Sequence, residues 1–380
     1  MKLGFLQDVY EQSGPFATVY LDTSSDVENA PKEVGLRWRS ARESLADQGA
    51  DEATLQAIEE RIGEHQWRES GRRGQLVVAA QGRVLLNDEL PQPPTEFPAD
   101  EQVFFGPLPH LMPYLRMRSA RIPHVVAVVD HSGADITSVN AARESDSTTV
   151  ESGGVPLRKS HTAGEGNEQR HHHAVEERWQ HNAADMAAEI ETRALRISAE
   201  AIVLAGDVQQ RKLVQEQLRK GLQDMVVQTG ASSRDRKESG KNLDEEVSEV
   251  VRSAVESRVD EMVREFERER GEHDRAVEGW EATVGSLQRG QVRTLLRTPT
   301  SGGAPVDELY IGPGANEVAL EDRTLREMGV SDSSSAPADA AILRGLIGTD
   351  AEIVLVDADR IELSGGIGAV LRFNDPSTRH

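Results

Sequence analysis

Apolar positions along the chain fall into short β-type runs, separated by stretches that carry the three- and four-residue step of helices. Residues 16–21 (FATVYL) form a β-rich run closed by Asp22, Thr23 and Ser24. Residues 31–65 read as helical, with Val34, Trp38, Ala41 and Leu45 on one face and a break near Gly49. The runs 76–80 and 84–86 flank Gln81-Gly82 as a β-hairpin. PQPPTEFP reads as a surface loop, and 103–105 as a further short strand.

From Ile122 the pattern changes. Residues 125–129 (VVAVV) are continuously apolar, as in a strand covered on both faces. DHSG follows as a turn, and 134–139 alternates as a return strand. The segment 152–173, SGGVPLRKSHTAGEGNEQRHHH, is too polar and too rich in glycine to build a core and reads as a loop. Next, Val175, Trp179, Ala183, Met186, Ile190, Ala194 and Ile197 lie on one face of a long helix. A strand at 201–205 (AIVLA), a helix at 208–222 and a strand at 225–227 continue the alternation. SSRDRKESGKN reads as a charged connector, and Val251, Val255, Val259, Met262 and Phe266 mark a helix over 243–266.

The last region places Val277, Trp280, Val284 and Leu287 on a helix, followed by a short element at 292–296 that Pro299 ends. A strand at 309–311, a loop SDSSSAPAD, a helix at 340–347 and strands at 352–356 and 367–373 around Gly365-Gly366 complete it. The fold class expected is α/β in three domains. These are a mixed α/β domain over 1–121, an α/β layer over 122–271 and a small α/β sandwich over 272–380.

Composition narrows the function. A formal net charge of −22 on 380 residues argues against broad, nonspecific nucleic-acid binding, although it leaves room for a local basic surface. The chain has no cysteine, which excludes disulfides, thiolate catalysis and cysteine-bound zinc. Its start lacks the apolar run of a signal peptide, and no stretch is apolar enough to span a membrane, so a cytoplasmic protein without membrane contacts is expected.

Several clusters invite chemistry. Arg116, Arg118 and Arg121 lie close together; the plainer reading is a solvated face, the sharper one a phosphate-contacting edge. GGVPLRKS looks like a phosphate loop, but Arg158 stands where the glycine before the lysine is required. His161, His171, His172, His173 and His181 suggest a metal. On a helix His173 and Glu177 share a face, as do Glu177 and His181. Consecutive histidines point in different directions, however, which favours an exposed or RNA-facing cluster. Asp130 ends a strand, where catalytic carboxylates often sit. No partner carboxylate stands out at a matching strand end, so a turn-capping role is expected. Gly312-Pro313-Gly314 and Gly365-Gly366 read as turns rather than cofactor loops, and no metal or cofactor is expected.

Together, VVAVVDHSGADI, the Gly-rich loop, the long polar helix, AIVLAGDVQQRKLV and DMVVQTG resemble the middle domain of the archaeal and eukaryotic peptide-chain release factors and pelota. SLQRGQVRTLL, DELYIG and AEIVLVD resemble their C-terminal domain. The similarity is greatest to the bacterial branch, with its Balon-like ribosome-hibernation factors and relatives of peptidyl-tRNA hydrolase type. It implies a release-factor-like architecture with an RNase H-like middle domain. In the family a Gly-Gly-Gln tip enters the peptidyl-transferase centre, where its glutamine helps position a water. Here Gly153-Gly154 is followed by Val155, and the nearest candidate glutamine is Gln169; no Asn-Ile-Lys-Ser motif is found in the first region.

The resemblance therefore implies a non-catalytic, monomeric, A-site-occupying hibernation factor. Arg158, Lys159, His161, Arg170, His171, His172 and His173 would contact rRNA near the peptidyl-transferase centre, with Arg116 and Arg118 as a further edge. Elongation factor Tu is an implied partner. A peptidyl-tRNA hydrolase or rescue factor using Gln169 is the alternative, and a metal-dependent nucleic-acid enzyme a third.

Overall fold

The computed structural model describes the chain except residues 25–29, 64–71, 91, 96, 120–121, 141–144, 152–164, 230–235, 273–274, 299–305 and 374–380. For 30, 63, 99–100, 165–178, 236–246 and 248 the description is limited to the backbone.

The first run of apolar residues forms strand β1 (Phe16–Asp22), after a short helix α1 (Gln7–Tyr10). Two helices follow, α2 (Ala30–Asp47) and α3 (Glu52–Gly63). They part where expected, at Gly49, whose φ is +99°. Asp51 starts α3 by accepting from the amide and hydroxyl of Thr54, and these bonds hold its carboxyl below the usual range. Strands β2 (Gly74–Ala80) and β3 (Arg83–Leu90) form the expected hairpin. Its two turn residues, Gln81 and Gly82, both have positive φ, as a tight turn between twisted strands requires. Helix α4 (Ala99–Gln102), strand β4 (Val103–Gly106) and helix α5 (Met112–Ser119) complete this stretch. The antiparallel sheet runs β3-β2-β1-β4. Alternate residues serve opposite faces. Ala17, Val19, Leu21, Val77 and Ala79 pack under α2 and α3, and Phe16, Tyr20, Leu76 and Val78 enter a second core.

The middle stretch contains β5 (His124–Asp130), β6 (Gly133–Val139), β7 (Ser145–Glu151), helix α6 (Glu165–Arg196) and β8 (Ala201–Gly206). Helices α7 (Val208–Gln217) and α8 (Lys220–Gln223), strand β9 (Val226–Gln228) and helix α9 (Arg236–Glu272) follow. The sheet order is β7-β6-β5-β8-β9, an antiparallel meander on one side with β8 and β9 parallel to β5 on the other. This is the RNase H-like order expected. Ala183, Met186, Ala187, Ile190 and Ala194 of α6 cover one face together with Val214 of α7. Val247 and Val251 of α9 pack on Ala201 and Val203 of the other.

Two readings of this stretch need correction, and one strand has no periodic signal in the sequence. Strand β7 (SDSTTVE) carries no apolar alternation; it is an exposed edge held by backbone pairing and by cross-strand bonds such as Thr149 Oγ1 to Asp135 Oδ1 at 2.8 Å. The charged connector is helical from Arg236. So is the end of the polar loop from Glu165, because Glu, Gln, Arg and Lys extend a helix that packing has already nucleated.

The last stretch has β10 (Ala276–Glu278), α10 (Trp280–Gln288), β11 (Val292–Arg297), β12 (Glu308–Ile311) and β13 (Val318–Ala319). It closes with α11 (Asp322–Glu327), β14 (Ser334–Pro337), α12 (Ala338–Gly348), β15 (Glu352–Leu355) and β16 (Ile367–Leu371). The sheets run β10-β16-β11-β15 and β13-β12-β14. Val277, expected on a helix, lies in β10, because Gly279 at φ +85° separates it from α10. SDSSSAPAD, expected as a loop, contains β14, paired with β12.

The chain divides into two compact units, 121–258 and the pair 1–120 with 259–380. The two segments of the paired unit share one core, in which Leu6, Leu111 and Leu115 join Leu287, Leu295, Ile342 and Leu346. No described helix is long and apolar enough to cross a membrane.

Candidate nucleic-acid interface

Strands β5 and β8 are parallel neighbours that end at the same edge of their sheet, with Val129 paired to Gly206. An aspartate ends one and follows the other. Asp130 Oδ1 accepts from the amides of Ser132 and Gly133, at 2.6 and 3.0 Å, and so closes its own turn as expected. Asp207 Oδ1 accepts from the amides of Gln209 and Gln210, both at 2.9 Å, and caps α7. Gly206, at φ +96°, makes the approach possible: a Cβ there would lie 2.1 Å from the Val129 carbonyl oxygen.

Asp207 is the carboxylate that sequence reasoning did not find beside Asp130. VVAVVD and AIVLAGD are both apolar runs ending in aspartate, but periodicity does not say which strands are neighbours. Both carboxylates accept from their own turns. Among the described residues, no three His, Asp or Glu side chains are arranged to hold a metal ion.

His131 follows Asp130. Its ring stacks on that of Trp179 in α6, with centroids 4.8 Å apart and planes 28° from parallel. The Gln210 side-chain amide donates to His131 Nδ1 at 3.1 Å, and Asp207 Oδ2 lies 3.8 Å from Nε2. Gln210 is fully buried, Trp179 half-buried, and the His131 side chain 50% exposed.

The RNA-contacting residues expected from the sequence are distributed unevenly. Gln169, Arg170, His171, His172 and His173 lie on the first turns of α6, on helical backbone rather than in a loop. Successive helical residues are about 100° apart, so the three histidines cannot face one point. Arg158, Lys159 and His161 lie outside the described residues, as do Gly153-Gly154-Val155 and the rest of GGVPLRKS. His181 Nε2 is 3.9 Å from Asp185 Oδ2, one turn along α6. Arg116 and Arg118 are on α5, in the other unit. Arg118 is 7% exposed, donates to Tyr114 Oη at 3.2 Å and lies over the Phe5 ring at 4.4 Å. Arg116 pairs with Asp339 at 3.6 Å. Both are engaged within their own unit. Gly312-Pro313-Gly314 is a turn, closed by the Gly312 amide donating to the Glu317 carbonyl at 2.8 Å and the Gly314 amide to Glu317 Oε2 at 2.7 Å.

Residues 123–272 match the model of bacterial archaeo-eukaryotic release factor family 2. Two uncharacterized proteins from two strains of Mycobacterium tuberculosis are each 29% identical over 361 residues, spanning 95% of this chain and 94% of theirs. Among solved structures, an archaeal translation termination factor is 14% identical with a TM-score of 0.24, covering 97% of this chain and 96% of that one. A translation termination-like factor of Saccharomyces cerevisiae involved in RNA quality control is 12% identical with a TM-score of 0.41, covering 81% and 82%.

Proposed function

We propose that the protein is a ribosome-binding translation factor of the hibernation type, one that occupies the A site without hydrolysing peptidyl-tRNA. The observation that carries this is a conjunction. The middle region is of release-factor family type, yet Gly153-Gly154 is followed by Val155 where the hydrolytic tip has glutamine. Glycines at such a tip let backbone approach RNA closely, and removing the glutamine leaves the approach without the residue that positions water. Arg158, Lys159, His161, Arg170 and His171 to His173 supply the contacts, by charge-assisted bonds to phosphates and stacking on bases. Arg116 and Arg118 have a smaller part in it, since each is committed to a neighbour in its own unit. Cooperation with elongation factor Tu belongs to the same proposal.

Purified protein should cosediment with vacant ribosomes at low salt and dissociate as salt rises. Replacing Arg170 and His171 to His173 together by alanine should weaken association by about tenfold or more. Association that ignores salt, or none at low salt, would overturn the electrostatic reading. Release of peptide from stalled ribosomes, abolished by Gln169→Ala but not by Arg158→Ala, would establish a hydrolase instead.

A further inference from the structure

Helix α6 is 32 residues long, and among its described side chains the buried apolar positions run from Ala183 to Ala194. Ahead of them lie the turns that carry Arg170 and His171 to His173. The last of these is ten residues from Ala183, about 15 Å along the axis.

One turn before Ala183, Trp179 meets the ring of His131. That ring is itself held. Its Nδ1 accepts from Gln210, which is fully buried, and its Nε2 faces Asp207, which two backbone amides fix in place. Asp207 is tied to the sheet in turn, its amide donating to the Val129 carbonyl at 2.9 Å. The stack therefore links the helix to the carboxyl ends of β5 and β8. It holds the helix at a point about 9 Å along the axis from His173.

We infer that His131 is a positioning residue. Clamped by Gln210 and Asp207, it grips Trp179 and fixes the direction of the helix backbone whose leading turns carry Arg170 and the three histidines. The clamp itself is a property of the free protein; its consequence for binding rests on the ribosome-binding proposal above.

Amide exchange and ribosome cosedimentation of the full-length protein test both parts. In His131→Ala, exchange over residues 175–182 should rise about twofold to tenfold, the range an aromatic stack is worth. Exchange over 201–206 in β8 should be unchanged, and ribosome affinity should fall by a similar factor. His131→Phe, which keeps the stack, should restore both. Trp179→Leu, which keeps apolar burial but not the stack, should behave like His131→Ala and serves if that variant unfolds. The inference fails if exchange over 175–182 does not change in either variant, if phenylalanine restores nothing, or if exchange rises while affinity stays at the wild-type value. A wild-type protein that never binds ribosomes overturns the proposed function, and the exchange comparison still decides the clamp.

Discussion

At the scale of single residues, His124 gives the middle unit a defined response to acid. Burial at the start of β5 lowers its pKa below the ordinary 6.5, a shift partly opposed by its bond to the Ile122 carbonyl. Below 6.5 the unfolded chain takes up a proton that the folded chain refuses. Stability should therefore be complete above 6.5, decline as pH falls below it, and stop declining once the folded imidazole also titrates. His124→Gln should remove that limb from the pH dependence of unit 121–258, read as urea midpoints across pH; an unchanged limb would contradict the assignment. Residue identities of this kind were only partly legible in the sequence. Asp130 as a turn residue follows from DHSG alone. Arg118 as a buried contact of Phe5 and Tyr114 does not, because nothing in LRMRS distinguishes a solvated arginine from one that other elements enclose.

At the scale of elements, one ion-pair network joins three of them. Arg297 of β11, whose side chain is 3% exposed, pairs with Asp339 at the start of α12 at 3.1 Å, and Arg116 of α5 reaches the same carboxylate. Arg297 also lies over the Trp280 ring at 5.4 Å and donates to the Gly366 carbonyl. Removing the carboxylate strands a buried guanidinium, so Asp339→Ala should cost about 3 to 5 kcal/mol in urea unfolding of unit 1–120 with 259–380. A loss under about 1 kcal/mol would mean that water reaches Arg297. Elements with a strong apolar period, such as β1, β5, β8 and the core of α6, were legible in the sequence. The polar edge strand β7 and β14 within SDSSSAPAD were not, since their partners, not their composition, make them strands.

At the scale of the whole molecule, the chain's two ends build one unit. Leu6 and Leu115 share a core with Leu295 and Leu346, and the backbones of Lys2 and Glu352 pair in an isolated antiparallel bridge. Such contacts between distant stretches leave no periodic trace, so sequence boundaries near 121 and 271 do not convey them. Fragments 1–120 and 259–380 should each fold poorly alone and recover native-like amide dispersion when mixed, whereas 121–258 should fold by itself. A fully dispersed spectrum from 259–380 alone would count against this.

The shared core also sets a schedule for synthesis. Residues 1–120 leave the ribosome with an apolar face whose covering lies beyond the whole of 121–258. At roughly 5 to 20 residues per second, that face waits on the order of ten seconds or more, while the intervening unit has time to fold. During that interval the nascent chain is a client for holding chaperones. Slow codons within 121–258 lengthen the exposure and those after 259 delay its end, so expression yield depends on translation speed well downstream of the segment at risk.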